Sequence, residues 1–98
     1  MPRAYFHTEF GEEFMDKVEE CIMTCLGYDE ADLPWLEVFT IDDLIKDYEE
    51  MLKDMLGEDL WEKLSYYIDI EAMIRDDILS GYIFEIKVDG QTLYVRER

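Results

Sequence analysis

Three carboxylates and a lysine in the C-terminal third of the chain have the types and order used in metal-dependent hydrolysis. Asp76 and Asp77 precede Glu85-Ile86-Lys87. In a D…(E/D)xK arrangement the carboxylates hold Mg²⁺ and the lysine assists an attacking water. Glu85 and Lys87 are two apart and so share one face of a strand. The rest of the chain argues against this chemistry. Matches of three residues are common, and a chain of formal net charge −17 with no basic groove repels a phosphate substrate. No Gly-rich phosphate loop, zinc quartet or nucleophile triad is present. The acids of "DDLIKDYEEMLKD" lack the central glycine of an EF-hand loop. Cys21 and Cys25, four apart on the apolar side of a helix pattern, read as reduced core thiols, because a zinc site needs two more soft ligands. His7 is the only histidine and has no ligand partner nearby in sequence. No catalytic residue, metal site or cofactor site is expected, and the chain does not read as an enzyme.

What remains is an excess of acid with an uneven distribution. From Glu9 to Asp77 there are 23 acids against 5 bases, whereas residues 1–8 and 78–98 hold 3 acids and 4 bases. Such an excess excludes direct contact with nucleic acid or an anionic membrane and attracts basic surfaces. It is densest at residues 41–63, "IDDLIKDYEEMLKDMLGEDLWEK", with nine acids and three lysines. Taken as helix, this stretch spans about 35 Å. That is one net negative charge per roughly 6 Å, about half the density of one B-DNA strand, which carries a phosphate per about 3.4 Å.

The elements that position these acids follow from periodicity. Residues 3–7 alternate weakly, as a short strand does. Phe14, Val18, Cys21, Ile22 and Cys25 make one apolar stripe of a helix from about Glu12 to Leu26, ended by Gly27. Glu12, Glu13, Asp16, Glu19 and Glu20 fall away from that stripe. Residues 28–39 read as a connector whose Trp35, Leu36 and Phe39 turn into the core. Thr40 is placed to cap a helix from Ile41 to about Leu56, with Ile41, Leu44, Ile45, Tyr48, Met51, Leu52 and Met55 facing inward. A short helix from Glu58 to about Tyr66 is anchored by Leu60, Trp61 and Leu64. Asp69 caps a last helix over about 70–79. "YIFEIKV-DG-QTLYVR" is a hairpin with a type I′ turn at Asp89-Gly90, pairing Ile86 with Leu93 and Phe84 with Val95. The expected fold is a single α+β domain over residues 1–98, with three to four helices packed on a small antiparallel sheet that includes this C-terminal β-hairpin.

On the 41–56 helix, Asp42 and Glu49 each stand four residues before a lysine, Lys46 and Lys53, and make favourable pairs. Asp43, Asp47, Glu50 and Asp54 form a stripe on the back, away from the core and with no cation on the same helix beyond Lys46 near Glu50. Like-charge pairs at this spacing cost about 0.2–0.5 kcal/mol each. One reading of the stripe is a solvated face that favours solubility. The other is a rigid array standing in for a phosphate backbone.

"LSYYIDIEAMIRDDILSGYIF", residues 64–84, resembles the C-terminal part of the ArdA-type antirestriction family. The shared pattern is aromatic and hydrophobic positions, Asp69, a hydrophobic, Glu71-Ala72, two variable positions, Arg75-Asp76, and an aromatic strand start near Tyr82. It covers about a fifth of the chain. The same residues have a structural reading: Asp69 as a cap, Glu71 to Arg75 as an i, i+4 pair, and Tyr67, Met73 and Ile74 as packing positions. Members of the family are acidic proteins of phages and mobile elements that mimic bent DNA in the groove of type I restriction enzymes. They usually have three small domains and form elongated dimers, so the resemblance implies a homodimer as one form open to this chain. A single domain covers less of a groove, which makes the basic channel of a CRISPR effector an alternative target.

The expected function is therefore inhibition of a host defence nuclease, antirestriction or anti-CRISPR, by competition with DNA for a basic groove. The expected contacts are Asp43, Asp47, Glu50 and Asp54, helped by Glu12, Asp16, Glu20, Glu58, Glu62, Asp76 and Asp77. The alternatives are an acidic immunity or antitoxin protein that blocks a basic nuclease toxin, and a generic acidic interaction module. "MPRAYFHTEF" has no cationic segment followed by an apolar core, so no signal peptide is expected. No apolar run approaches a bilayer-spanning length, and the bacterial host's cytoplasm is the expected compartment.

Overall fold

The computed structural model describes residues 3–98. Strand β1 (Tyr5–Phe6) leads to helix α1 (Glu12–Leu26), a 3-10 segment (Glu30–Trp35) and strand β2 (Leu36–Phe39). Helices α2 (Ile41–Leu56) and α3 (Glu58–Leu64) follow, then a 3-10 turn (Ser65–Tyr67) and helix α4 (Ile70–Leu79). Strands β3 (Ile83–Val88) and β4 (Gln91–Glu97) close the fold. The class is α+β. The four strands form one sheet in the order β1-β2-β4-β3. β4 pairs antiparallel with both neighbours, whereas β1 runs parallel to β2, so the sheet is mixed rather than wholly antiparallel.

Local chemistry explains most of the boundaries. Gly27 ends α1 in the left-handed region, at φ 79°. The Thr40 side chain accepts from the Asp43 N–H at 3.2 Å and starts α2. Asp69 does the same for α4 through the Ala72 N–H at 3.0 Å. Both residues of the hairpin turn have positive φ, 51° at Asp89 and 80° at Gly90, as a type I′ turn requires. Ile86 then pairs with Leu93 and Phe84 with Val95, the expected register.

The sheet is covered on both faces. Val18 and Ile22 of α1 pack with Leu33 against Leu36, Val38, Ile86, Val88, Leu93 and Val95. On the other face Phe39 and Ile83 meet Leu44 and Tyr48 of α2 and Ile74 of α4. Each fully buried side chain of this size contributes about 1.5–3 kcal/mol. The body is elongated, 43 × 24 × 24 Å, with a radius of gyration of 14.8 Å, against about 12.5 Å for a compact chain of this length. No residue of α3 is buried. Among the described residues no helix is long and apolar enough to cross a membrane.

Several expectations fail, for identifiable reasons. The 28–39 connector contains β2, whose hydrophobic run is too short and too near Pro34 to announce a strand next to the centre of the sheet. Leu36 and Phe39 are buried as expected, but Trp35 is exposed. Met51 and Met55 continue the inward stripe of α2 by spacing, yet both are exposed. Leu60 and Leu64 are likewise exposed, and only Trp61 of the expected anchors is half-buried. Tyr67 is also exposed, whereas Ile74 is buried as expected. Cys25 is exposed and Cys21 only partly covered, with their Sγ atoms 3.5 Å apart, so they are surface thiols rather than core thiols. Glu19, expected outside, is 7% exposed. Its carboxylate accepts from the Ala4 N–H at 2.9 Å and lies 3.2 Å from Arg3 Nε, which supplies the partners a buried charge needs.

Candidate functional site

Helix α2 passes directly from β2 over the sheet, so its first turns face strand side chains that lie far away in sequence. Arg96 on β4 is the chief of these. Its Nη1 donates to Asp47 Oδ2 at 2.8 Å, and its Nη2 and Nε reach Glu37 Oε2 at 3.0 and 3.2 Å. The guanidinium also sits over the Phe39 ring, 4.8 Å from its centroid. On the far side of Glu37, His7 Nε2 lies 3.1 Å from Oε1, and the His7 ring stacks on Phe39 at 4.0 Å. Burial would lower the Arg96 pKa, but the hydrogen bonds and charges of Asp47 and Glu37 hold it above its ordinary value.

Asp43, one turn earlier, accepts from the Thr8 hydroxyl. Partial burial pushes its carboxyl upward, but the bonds from Thr8 and Thr40 outweigh that and leave it below the usual carboxylate range. Asp43 and Asp47 are thus partnered and half-buried, not a free stripe on the back of the helix. Their flank of α2 meets the β1–β2–β4 side of the sheet, which a helical wheel drawn for α2 alone cannot contain. Glu50 and Asp54, further along α2, are exposed and have no ion-pair partner among the described residues.

The other expected contact acids divide in the same way. Arg3 lies beside α1 and pairs with Asp16 and, at 3.4 Å, with Glu12. Glu20 is exposed and unpaired among the described residues. Lys53 pairs with Glu58 at 3.4 Å instead of with Glu49. Glu62 and Asp76 are exposed without a partner among the described residues, whereas Asp77 accepts from the Tyr48 hydroxyl. Burial, then the Asp77 hydrogen bond and charge, raises the Tyr48 pKa well above that of a free phenol. No ion pair joins Asp42 to Lys46, or Glu71 to Arg75, among the described residues.

Acids in no ion pair among the described residues occur along the whole chain, and they are densest in the stretch that runs through the end of α2, α3 and α4. Residues 49–76 hold nine acids against three bases, and of these nine only Glu58 is in an ion pair among the described residues. Glu49, Asp59 and Glu71 also belong to this set; helical spacing assigns Glu49 to Lys53 and Glu71 to Arg75, pairs absent among the described residues. Their signal was present: acids outnumber the lysines on that segment whichever pairs form. Among the described residues no group of three or more His, Cys, Asp or Glu side chains is placed to hold a metal ion. Comparison with protein families, with curated proteins and with solved structures finds no match for this chain.

Proposed function

We propose that this protein blocks a host defence nuclease, of restriction or CRISPR type, by occupying its DNA-binding surface in the bacterial cytoplasm. The observation that carries this reading is that, among the described residues, eight of the nine acids of residues 49–76 are in no ion pair. A basic groove that has released its counterions to these carboxylates cannot also hold phosphates. The likeness of residues 64–84 to the ArdA-type pattern supports the same reading.

Glu50, Asp54, Glu62 and Asp76 are the principal contacts, with Glu20 and Glu49 adding to them, because all six are exposed and in no ion pair among the described residues. Asp43, Asp47 and Asp77 serve the fold first. The test is competition: labelled duplex DNA is bound to the nuclease and this protein is titrated in. DNA should be released steeply, and less so as salt is raised. Lysine at positions 50, 54, 62 and 76 should abolish the release with the fold intact. Inhibition with DNA still bound would refute the reading. A small toxic nuclease as the tight partner would favour the immunity reading.

A further inference from the structure

Between α3 and α4 the chain reverses beside the flank of α2. Ser65–Tyr67 form a 3-10 turn, Ile68 is extended, and Asp69 caps α4. The reversal leaves a groove of about 490 Å³ against α2. Three aromatic side chains line it, Trp61, Tyr66 and Tyr67, together with three carboxylates, Glu49, Asp69 and Glu71. Among the described residues no lysine, arginine or histidine lines it. None of the three carboxylates is in an ion pair among the described residues; Asp69 uses one oxygen on the Ala72 N–H. Tyr66 and Tyr67 are 91% and 84% exposed, so packing among the described residues does not account for two adjacent bare phenol rings.

Aromatic faces carry negative potential, and carboxylates carry full negative charge. Together they form a site for a cation with an apolar face. A guanidinium fits this description better than an ammonium. It is planar and weakly hydrated, stacks on Trp or Tyr, and donates two parallel hydrogen bonds to one carboxylate. We propose that this groove receives an arginine side chain presented by a basic protein partner. The proposal deepens the functional reading above and rests on it for the partner's identity, since nucleic-acid-binding surfaces are rich in arginine. Charge complementarity selects the occupant. The acids draw in the basic surface as a whole, and the aromatic groove then fixes one of its residues in register.

The test uses the full chain carrying Trp35→Phe. Trp35 is exposed, so its loss disturbs little, and Trp61 becomes the remaining one of two tryptophans. Acetyl-tetraarginine amide is titrated in at 150 mM salt and followed by ¹H–¹⁵N NMR, with tetralysine and neutral tetracitrulline peptides as controls. The Trp61 indole N–H and the amides of 65–71 should shift most. The arginine peptide should bind more tightly than the lysine peptide, by up to about 2- to 5-fold for each aromatic face on which the guanidinium stacks and the ammonium does not, and the citrulline peptide should cause no shift. Tyr66→Ser/Tyr67→Ser, at exposed positions, should remove that preference and leave the fold's spectrum unchanged. Shifts spread evenly over the acids of α1 and α2, with arginine and lysine equivalent, would overturn the proposal. So would an unaltered preference in the double variant. The outcomes separate the two readings. A groove that selects arginine in a protein that fails to displace DNA refutes the nuclease reading alone. DNA displacement without arginine selection refutes the groove alone.

Discussion

Replacing Arg96 by methionine keeps most of the side-chain length and removes the charge that joins β4, β2 and α2. Arg96 is 26% exposed in its side chain, Glu37 17% and Asp47 32%. Removing one partner of a fully buried ion pair costs about 3–5 kcal/mol, and an exposed pair is worth about 0–1 kcal/mol. This cluster lies between those limits: the variant leaves Asp47 without its ion-pair partner and Glu37 with His7 alone. A loss of about 2–3 kcal/mol follows from interpolating between the two. At roughly 4–8 °C per kcal/mol for a domain of this size, Tm should fall by about 10–20 °C. Circular dichroism melts at 20 mM salt would measure it, with urea titration supplying the free energy. Asp47→Lys should be destabilising too, because it sets a cation against Arg96. Asp54→Lys should raise Tm slightly, since it only relieves repulsion. If Arg96→Met moves Tm by less than about 3 °C, or if the lysines at 47 and 54 act alike, the cluster does not hold α2 to the sheet and the division between structural and free acids is wrong.

Other outcomes follow from the same charges. Raising salt from 20 mM to 0.5 M should increase Tm through screening of the unpaired carboxylates; a flat or falling Tm would show them locally compensated. Because the folded pKa of Asp43 is depressed, its stabilisation is complete above the unfolded value, near 3.9, and is lost as pH falls through the folded one. The difference in Tm between the protein and Asp43→Asn should accordingly be largest near pH 6 and shrink as pH falls below the unfolded value, and a difference that does not change with pH would contradict the assignment. Exposed Cys25 should react with a thiol reagent at pH 8 faster than Cys21, whose pKa is raised by burial and then by its bond to Cys25; equal rates under single-hit labelling would refute that order.

Much of the fold was legible because its signals are local. Thr40 and Asp69 cap helices from within four residues, Gly27 needs only its own φ, and Asp89-Gly90 sets the hairpin register by loop length alone. The misses share the opposite character. β2 becomes a strand because β1 and β4 supply its partners, 59 residues separating Glu37 from Arg96. Glu19 is buried because Arg3 and the Ala4 N–H meet it, across a distance no helical stripe encodes. Met51, Met55, Leu60 and Leu64 carry the pattern of core residues, but the sheet does not extend far enough to cover them. The candidate site shows the same division. The excess of acid could be read from composition, whereas which acids are free depends on where Arg3 and Arg96 come to rest.

The position of β4 bears on how the chain folds during synthesis. It is last in chain order among these elements, yet it lies inside the sheet, hydrogen-bonded to β2 and β3. At about 5–20 residues per second, some 3–12 s pass between completion of Phe39 and completion of Glu97. Through that interval Leu36, Val38 and Phe39 have no β4 to pair with, and the parallel neighbour β1 offers only two residues. A nascent chain stopped before residue 91 thus presents a hydrophobic strand with its β4 edge open to chaperones and proteases. Folding should register late, as an abrupt gain of protease resistance once Val95 has cleared the ribosome.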